Sequence, residues 1–373
     1  MIGNINRRDL LRVTGGTAIG LTLPSSVFGA RQNVENSETK SRLIELSGNE
    51  NSYGPSPAAK NAIITASSNA NRYTYADQLE LVKKIARKEG VSADHIVLGS
   101  GSSEVLLSAG LACCQNDKDT VAADLGYGMV PGYAGRVGGD VHWVPLDNEM
   151  RHDLANMADH VNSNTGMVYI CNPNNPTGTL VNGDRLRDFC RSMPKDVVVV
   201  IDEAYLEFTD NFDEQTMLDM VMLGHNVIVT RTFSKIHGLA GVRLGYAIAR
   251  PDIAERISRV KMCKFQGPLA VSAANASLDD EGFRDYCRER TREGRVMVHQ
   301  LCDDLGLEHT DAAGNFSFID PKMSHNTFKE RMMSLGLEAA RPFSPKPDWA
   351  RVTIGTTEEM KVFAEALPII VNA

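Results

Sequence analysis

Val197-Val198-Val199-Val200-Ile201-Asp202-Glu203-Ala204-Tyr205 carries the most apolar strand-like run of this 373-residue chain, and the run ends on a carboxylate. Five successive β-branched residues without period-2 alternation predict a strand covered on both faces. On either side, similar runs occur at His95–Leu98, Thr120–Ala123, Val141–Pro145, Met167–Cys171 and Val227–Thr230, with helical patterns between them. Such alternation predicts βα units, hence an α/β fold on a mainly parallel sheet. Ligands of open α/β sheets sit beyond the carboxyl ends of the strands. Four polar motifs stand there: Gly99–Glu104, Asn172–Gly178, Asp202–Tyr205 and Arg231–Lys235. They are expected to converge on one crevice.

Composition narrows the classes. With 42% hydrophobic and 23% charged residues the chain has material for one large core or two fused ones. No apolar run reaches the ~18 residues of a membrane-crossing helix. A net charge of −8, with no basic block interleaved with aromatics, argues against nucleic acid as a partner. The seven cysteines form no CxxC pair, so neither a metal site nor a complete disulfide framework is indicated; small buried side chains are the plain reading.

The first thirty residues read as separate from the fold. Asn6-Arg7-Arg8-Asp9-Leu10-Leu11-Arg12 precedes a modestly apolar stretch, Val13 to Leu23, and a small-residue exit ending at Ala30. Residues 1–30 are therefore expected to be a removable export signal, whose paired arginines resemble the twin-arginine class. That route carries folded proteins, so the expected destination is periplasmic or exported after folding in the cytoplasm. Helical patterns at Glu281–Leu305 and Asn326–Leu335, with strand candidates Phe316–Ile319 and Arg351–Ile354, predict a smaller α+β unit. Its expected span is residues 42–70 and 275–373, around a large domain of residues 71–274.

Single residues leave choices open. Gly101-Ser102-Ser103-Glu104 opens a helical pattern, so it reads either as a phosphate cup at a helix N-terminus or as an ordinary N-cap. It lacks the third glycine of a dinucleotide-binding turn, which argues against a nicotinamide dehydrogenase. Lys235 has only His237 and Arg243 as polar neighbours within Ile236–Gly245, so its amine is expected to be partly desolvated and nucleophilic. Asp202 at the end of an apolar strand is costly without compensation, which fits a buried catalytic carboxylate, an N-cap or an ion pair equally. Together the groups suit a pyridine cofactor carrying an aldehyde and a phosphate.

The stretches Asn49–Pro55, Asn71-Arg72-Tyr73, Asn172–Gly178, Asp202–Phe208, Ser234–Tyr246 and Arg351–Thr356 resemble the class I/II aminotransferases of pyridoxal 5'-phosphate (PLP) fold type I, and within them the histidinol-phosphate aminotransferase group. The resemblance runs from about residue 42 to the C-terminus. It implies a seven-stranded sheet flanked by helices, a homodimer, and PLP as cofactor. Lys235 would form the Schiff base and shuttle the α-proton, while Asp202 would hold the pyridine nitrogen protonated. Asn175 and Tyr205 would bind the phenolic oxygen and Tyr127 would stack on the ring. Ser102, Ser103, Ser234 and Arg243 would hold the phosphate, joined by Tyr73 of the neighbouring subunit. Arg351 would bind the anionic end of the substrate, with Tyr53 and Arg341 as further candidates.

Ser52 stands where the family has Pro, and Ser103 where it has Asp, which leaves the substrate open. The expected activity is transfer of an amino group between an amino acid or amino-phosphate compound and a 2-oxo acid or aldehyde. A PLP-dependent decarboxylase or lyase is the alternative on the same site, and a non-catalytic PLP carrier is a more distant one.

Overall fold

A computed structural model describes residues 43–373; the expected export segment, residues 1–30, lies outside the described residues. After a short β1 (Ile44–Glu45) come β2 (Ile96–Gly99), β3 (Asp119–Ala123), β4 (Val141–Val144), β5 (Thr165–Cys171), β6 (Val198–Asp202), β7 (Val227–Thr232) and β8 (Gly245–Ala249). The last seven form one sheet in the order β2-β8-β7-β6-β5-β3-β4. β3 to β7 pair in parallel, while β8 runs antiparallel to both β7 and β2. The mainly parallel seven-stranded sheet is as the sequence predicts, except that Gly245-Tyr246-Ala247-Ile248-Ala249 is a strand absent from the expected runs.

Every residue of β5, β6 and β7 is buried, and successive side chains enter two different cores. Val168, Ile170, Val199 and Ile201 pack on one face of the sheet, and Tyr169, Cys171, Val198 and Val200 on the other. Coverage of both faces is why the run needs no polar alternation. Six cysteines are buried and all seven are free, as their spacing suggests.

Three helices near the strand ends have clear local boundaries. α1 (Pro57–Ala66) begins at Ser56, whose hydroxyl accepts from the Ala59 amide at 3.2 Å. α2 (Tyr75–Glu89) stops at Gly90, held in the left-handed region at φ 69°. α3 (Ser102–Cys113) follows β2 directly. Beyond the main sheet, β9 (Phe316–Ile319), β10 (Leu337–Glu338) and β11 (Ala350–Thr353) build two small pairs, β9 with β11 antiparallel and β1 with β10 parallel. Leu46, Val298, Phe328, Val352, Met360 and Phe363 fill the core around them.

The expected division at residue 275 meets a continuous helix, Pro268–Asp279, so the chain does not change layers there. Ala270, Ala273 and Ala274 of that helix share the main core with Ala59 of α1. The 42–70 stretch is thus divided: Ile44 and Leu46 pack with the C-terminal core, α1 with the main one. The methyl-sized faces of α1 and Pro268–Asp279 explain their close packing. Among the described residues no helix is long and apolar enough to cross a membrane.

Candidate active site

The carboxyl ends of β2, β5, β6 and β7 open onto a cavity of about 560 Å³. Its walls include Ser102, Ser103, Tyr127, Asn175, Asp202, Tyr205, Ser234, Lys235, Arg243, Arg341 and Arg351. Four motifs far apart in sequence meet because parallel strands deliver all their carboxyl ends to one edge.

Asp202 is 3% exposed at the end of β6, in register with Cys171 of β5. Its Oδ2 accepts from the Tyr169 hydroxyl at 3.0 Å, and its Oδ1 from the Thr230 hydroxyl at 3.1 Å and the Ala204 amide at 3.2 Å. Two hydroxyls and an amide are its partners, not a cation, so the ion-pair alternative falls away, and the N-cap of the helical turn that follows is Tyr205, not Asp202. Burial raises its pKa, and these three bonds oppose the rise. The outcome is a buried carboxyl at an apolar strand end, facing a cavity.

Lys235 follows β7 by three residues. Burial, and then the nearby Arg351 guanidinium, lower its pKa to about 8. Its Nζ donates to the Asn49 carbonyl at 2.9 Å and lies 5.3 Å from the centre of the Tyr205 ring. An amine so placed is substantially neutral near pH 8, which makes it a nucleophile and a proton acceptor.

Tyr205 is buried, and burial pushes its pKa up. Its hydroxyl accepts from Asn175 Nδ2 at 3.2 Å and Asn49 Nδ2 at 3.4 Å, which leaves its own proton free to be donated. Asn175 Oδ1 in turn accepts from Arg351 Nη1 at 2.7 Å. Arg351 and Arg341 lie 5.1 and 4.6 Å from the centre of the same Phe343 ring. Two guanidiniums on one ring make a place for an anion.

The cup at the start of α3 is backbone-built. Gly101 is its N-cap, no side chain caps the helix, and Ser102 and Ser103 occupy the first turn with their residues on the cavity wall. The N-cap alternative for the serines is thereby excluded. Gly101 has φ 78°, and a Cβ there would stand 2.3 Å from Arg243 Nη2. Only glycine lets that guanidinium come over the helix N-terminus, where Arg243 Nη1 also donates to Ser234 Oγ at 3.3 Å. The cup fits a phosphate, the Lys235 amine an aldehyde, and the Asp202 carboxylate a protonated ring nitrogen.

The aminotransferase class I and II family profile matches residues 41–367. The chain belongs to the class I and II aminotransferases. It is 34% identical over 331 residues to histidinol-phosphate aminotransferase 1 of Nitrosococcus oceani, covering 88% of this chain and 89% of that one. It is 35% identical over 334 residues to histidinol-phosphate aminotransferase of Brevibacillus brevis, covering 88% and 91%. Among solved structures, histidinol-phosphate aminotransferase from Sinorhizobium meliloti in complex with pyridoxal-5'-phosphate superposes with a TM-score of 0.83 at 27% identity, covering 89% of this chain and 91% of that one.

Two expected site residues of this aminotransferase lie off the cavity wall within one chain. The Tyr53 hydroxyl is turned to Thr357, accepting from its amide at 3.1 Å, and the ring packs edge-on to Tyr286. Tyr73 is 87% exposed, its ring 5.3 Å from Phe265. Sequence reasoning missed Tyr169 and Thr230, which hold Asp202, and Asn49, which touches both Lys235 and Tyr205. Tyr169 and Thr230 read as core because they sit in apolar strands; their alternation with Cys171 and Thr232 was the available signal. Phe343 and Glu50, also on the wall of the aminotransferase cavity, carried none.

Proposed function

We propose that this aminotransferase uses PLP at the 560 Å³ cavity and acts on an amino donor whose far end is anionic. The carrying observation is the buried, cation-free Asp202 on the same cavity wall as the Lys235 amine, whose pKa is lowered to about 8. PLP supplies an aldehyde that bonds an amine and a protonated ring that accepts the electron pair left when the α-carbon loses its proton. Asp202 accepts the ring N–H and keeps that nitrogen charged. Tyr205 donates its free proton toward the phenolic oxygen, and Asn175 orients Tyr205. The α3 amides, Ser102, Ser103, Ser234 and Arg243 bind the phosphate. Lys235 Nζ, on the same wall with its pKa lowered, would take the proton from the substrate α-carbon and hold it for transfer within the site. Arg351 and Arg341 hold the anionic end, so that the α-carbon faces Lys235.

Relatives named for histidinol phosphate support an amino-phosphate donor, and the paired guanidiniums suit a phosphate or a carboxylate. Single-turnover spectra with histidinol phosphate, glutamate and an uncharged amine test the reading. The anionic donors should convert the cofactor to its amino form without acceptor; release of carbon dioxide instead would establish the decarboxylase alternative.

Tyr73, exposed with its ring against Phe265, supports a homodimer in which it reaches the neighbouring cofactor phosphate. Loss of PLP affinity in Tyr73→Phe, together with a dimer by light scattering, tests this. Residues 1–30 are proposed as a twin-arginine leader delivering the folded protein to the periplasm. Retention of the Arg7→Lys, Arg8→Lys variant in the cytoplasm is the expected result.

A further inference from the structure

Thr353 lies two residues beyond Arg351 on β11 and is 1% exposed. Its hydroxyl touches one residue at two points. It accepts from the Asn49 amide at 2.9 Å and donates to Asn49 Oδ1 at 3.1 Å. Asn49 is fully buried and holds φ 55°, a left-handed conformation that a non-glycine residue adopts at a cost unless its surroundings fix it. Such a conformation turns the carbonyl in a direction ordinary backbone does not reach. Here that carbonyl receives Lys235 Nζ at 2.9 Å and Asn315 Nδ2 at 3.1 Å. The Gly48 carbonyl stands 3.4 Å from the same ammonium.

We propose that Thr353 is a positioning residue: its two-point clasp on Asn49 fixes the carbonyl against which Lys235 rests whenever its amine is free of the cofactor. This rests on the proposed role of Lys235. The lysine must leave the cofactor, carry a proton and return within each half-reaction, and a fixed acceptor keeps it within reach of the α-carbon instead of swinging into solvent. β11 carries both the substrate-binding Arg351 and this clasp, so the strand that positions the substrate also positions the base.

The first measurement uses cofactor-free protein. The pH dependence of Lys235 carbamylation by cyanate, read by peptide mass spectrometry, reports the amine's own titration. Carbonyl acceptors favour the ammonium, so Thr353→Val should shift the midpoint to lower pH by about half a unit or more, and Thr353→Ser should not. The second uses the loaded enzyme. Thr353→Val should lower the single-turnover rate by about tenfold or more with KM little changed, and Thr353→Ser should restore it. In Lys235→Ala rescued by added methylamine, Thr353→Val should have no effect, because a diffusing amine does not use the clasp.

An unshifted midpoint in Thr353→Val, or an equal loss in the methylamine-rescued background, would overturn the proposal. If Thr353→Val does not fold, Thr353→Ala carries the same comparisons without placing a methyl where the oxygen stood. Failure of the Lys235 role itself is seen separately, as a borohydride-fixed cofactor on another lysine.

Discussion

Arg351 Nη1 donates to Asn175 Oδ1 at 2.7 Å, joining the strand that carries the anion-binding guanidinium to the loop that orients Tyr205. The contact spans 176 residues of sequence, from β11 of a small sheet to the loop that follows β5 of the main one. Substrate binding and cofactor orientation therefore share one side chain.

Arg351→Ala should raise KM for an anionic donor steeply, since a hydrogen bond to a charged group contributes ~1.5–3 kcal/mol, or roughly 10- to 150-fold. It should also lower kcat, because Asn175 loses its fixed orientation. Steady-state kinetics with an anionic and an uncharged donor checks both, and an equal KM rise for the two donors would remove Arg351 from substrate binding.

Lys235 is expected to lower the stability of the cofactor-free protein. Its folded pKa of about 8 lies below the ordinary 10.5, so at pH below 8 the fold holds an ammonium that water would hold better. That penalty is full below pH 8 and fades as pH rises toward 10.5. Lys235→Met should therefore melt later than the parent at pH 7, corresponding to ~1–2 kcal/mol once solvent screening of a half-buried amine is allowed for, and with it at pH 10.5. The same variant should show no turnover. Scanning calorimetry at the two pH values is the check.

Tyr169→Phe deletes the hydroxyl on Asp202 Oδ2 without altering the packed ring. The carboxyl pKa should rise further and its grip on a protonated ring nitrogen weaken, reducing PLP affinity about tenfold or more. Equilibrium dialysis measures this directly. An unchanged affinity would mean that Thr230 and Ala204 suffice.

Gly101→Ala puts a methyl against Arg243 and a side chain at φ 78°. Affinity for PLP should fall far more than affinity for pyridoxal, which lacks the phosphate. Parallel titrations with the two compounds separate loss of the cup from general damage.

Arg231 is 2% exposed and lies between Glu89 and Glu203, the latter at 3.1 Å, while the Tyr246 hydroxyl donates to Glu89 at 2.8 Å. Arg231→Met leaves two buried carboxylates without a cation and should cost about 3–5 kcal/mol. A lowered melting temperature, partly recovered at acid pH where the carboxylates protonate, is the expected result.

The sheet was largely legible because strands buried on both faces write an unmistakable run, as Val197–Ile201 does, and the motifs after them mark their carboxyl ends. β8 was not, since Gly245–Ala249 interleaves Tyr246 and Ile248 with glycine and alanine and has only one β-branched residue; antiparallel pairing to β7 and β2 makes it a strand. The serines of the cup stayed ambiguous because cap and cup have the same local sequence; the place of Gly101 decides between them.

By itself the sequence determined which groups this protein brings to its chemistry: an amine at 235, a carboxylate at 202, a cup at 101–103 and a guanidinium at 351. The first two follow from residue type and strand periodicity, which are local; the cup stayed open against an ordinary N-cap, and the guanidinium at 351 came from the family resemblance. Tertiary structure alone decided what surrounds them, placing Tyr169 and Thr230 on Asp202 and Thr353 on Asn49, while Tyr53 turned to Thr357. Those contacts depend on strand register and on segments meeting across hundreds of residues, and no local pattern encodes a partner that only folding brings near.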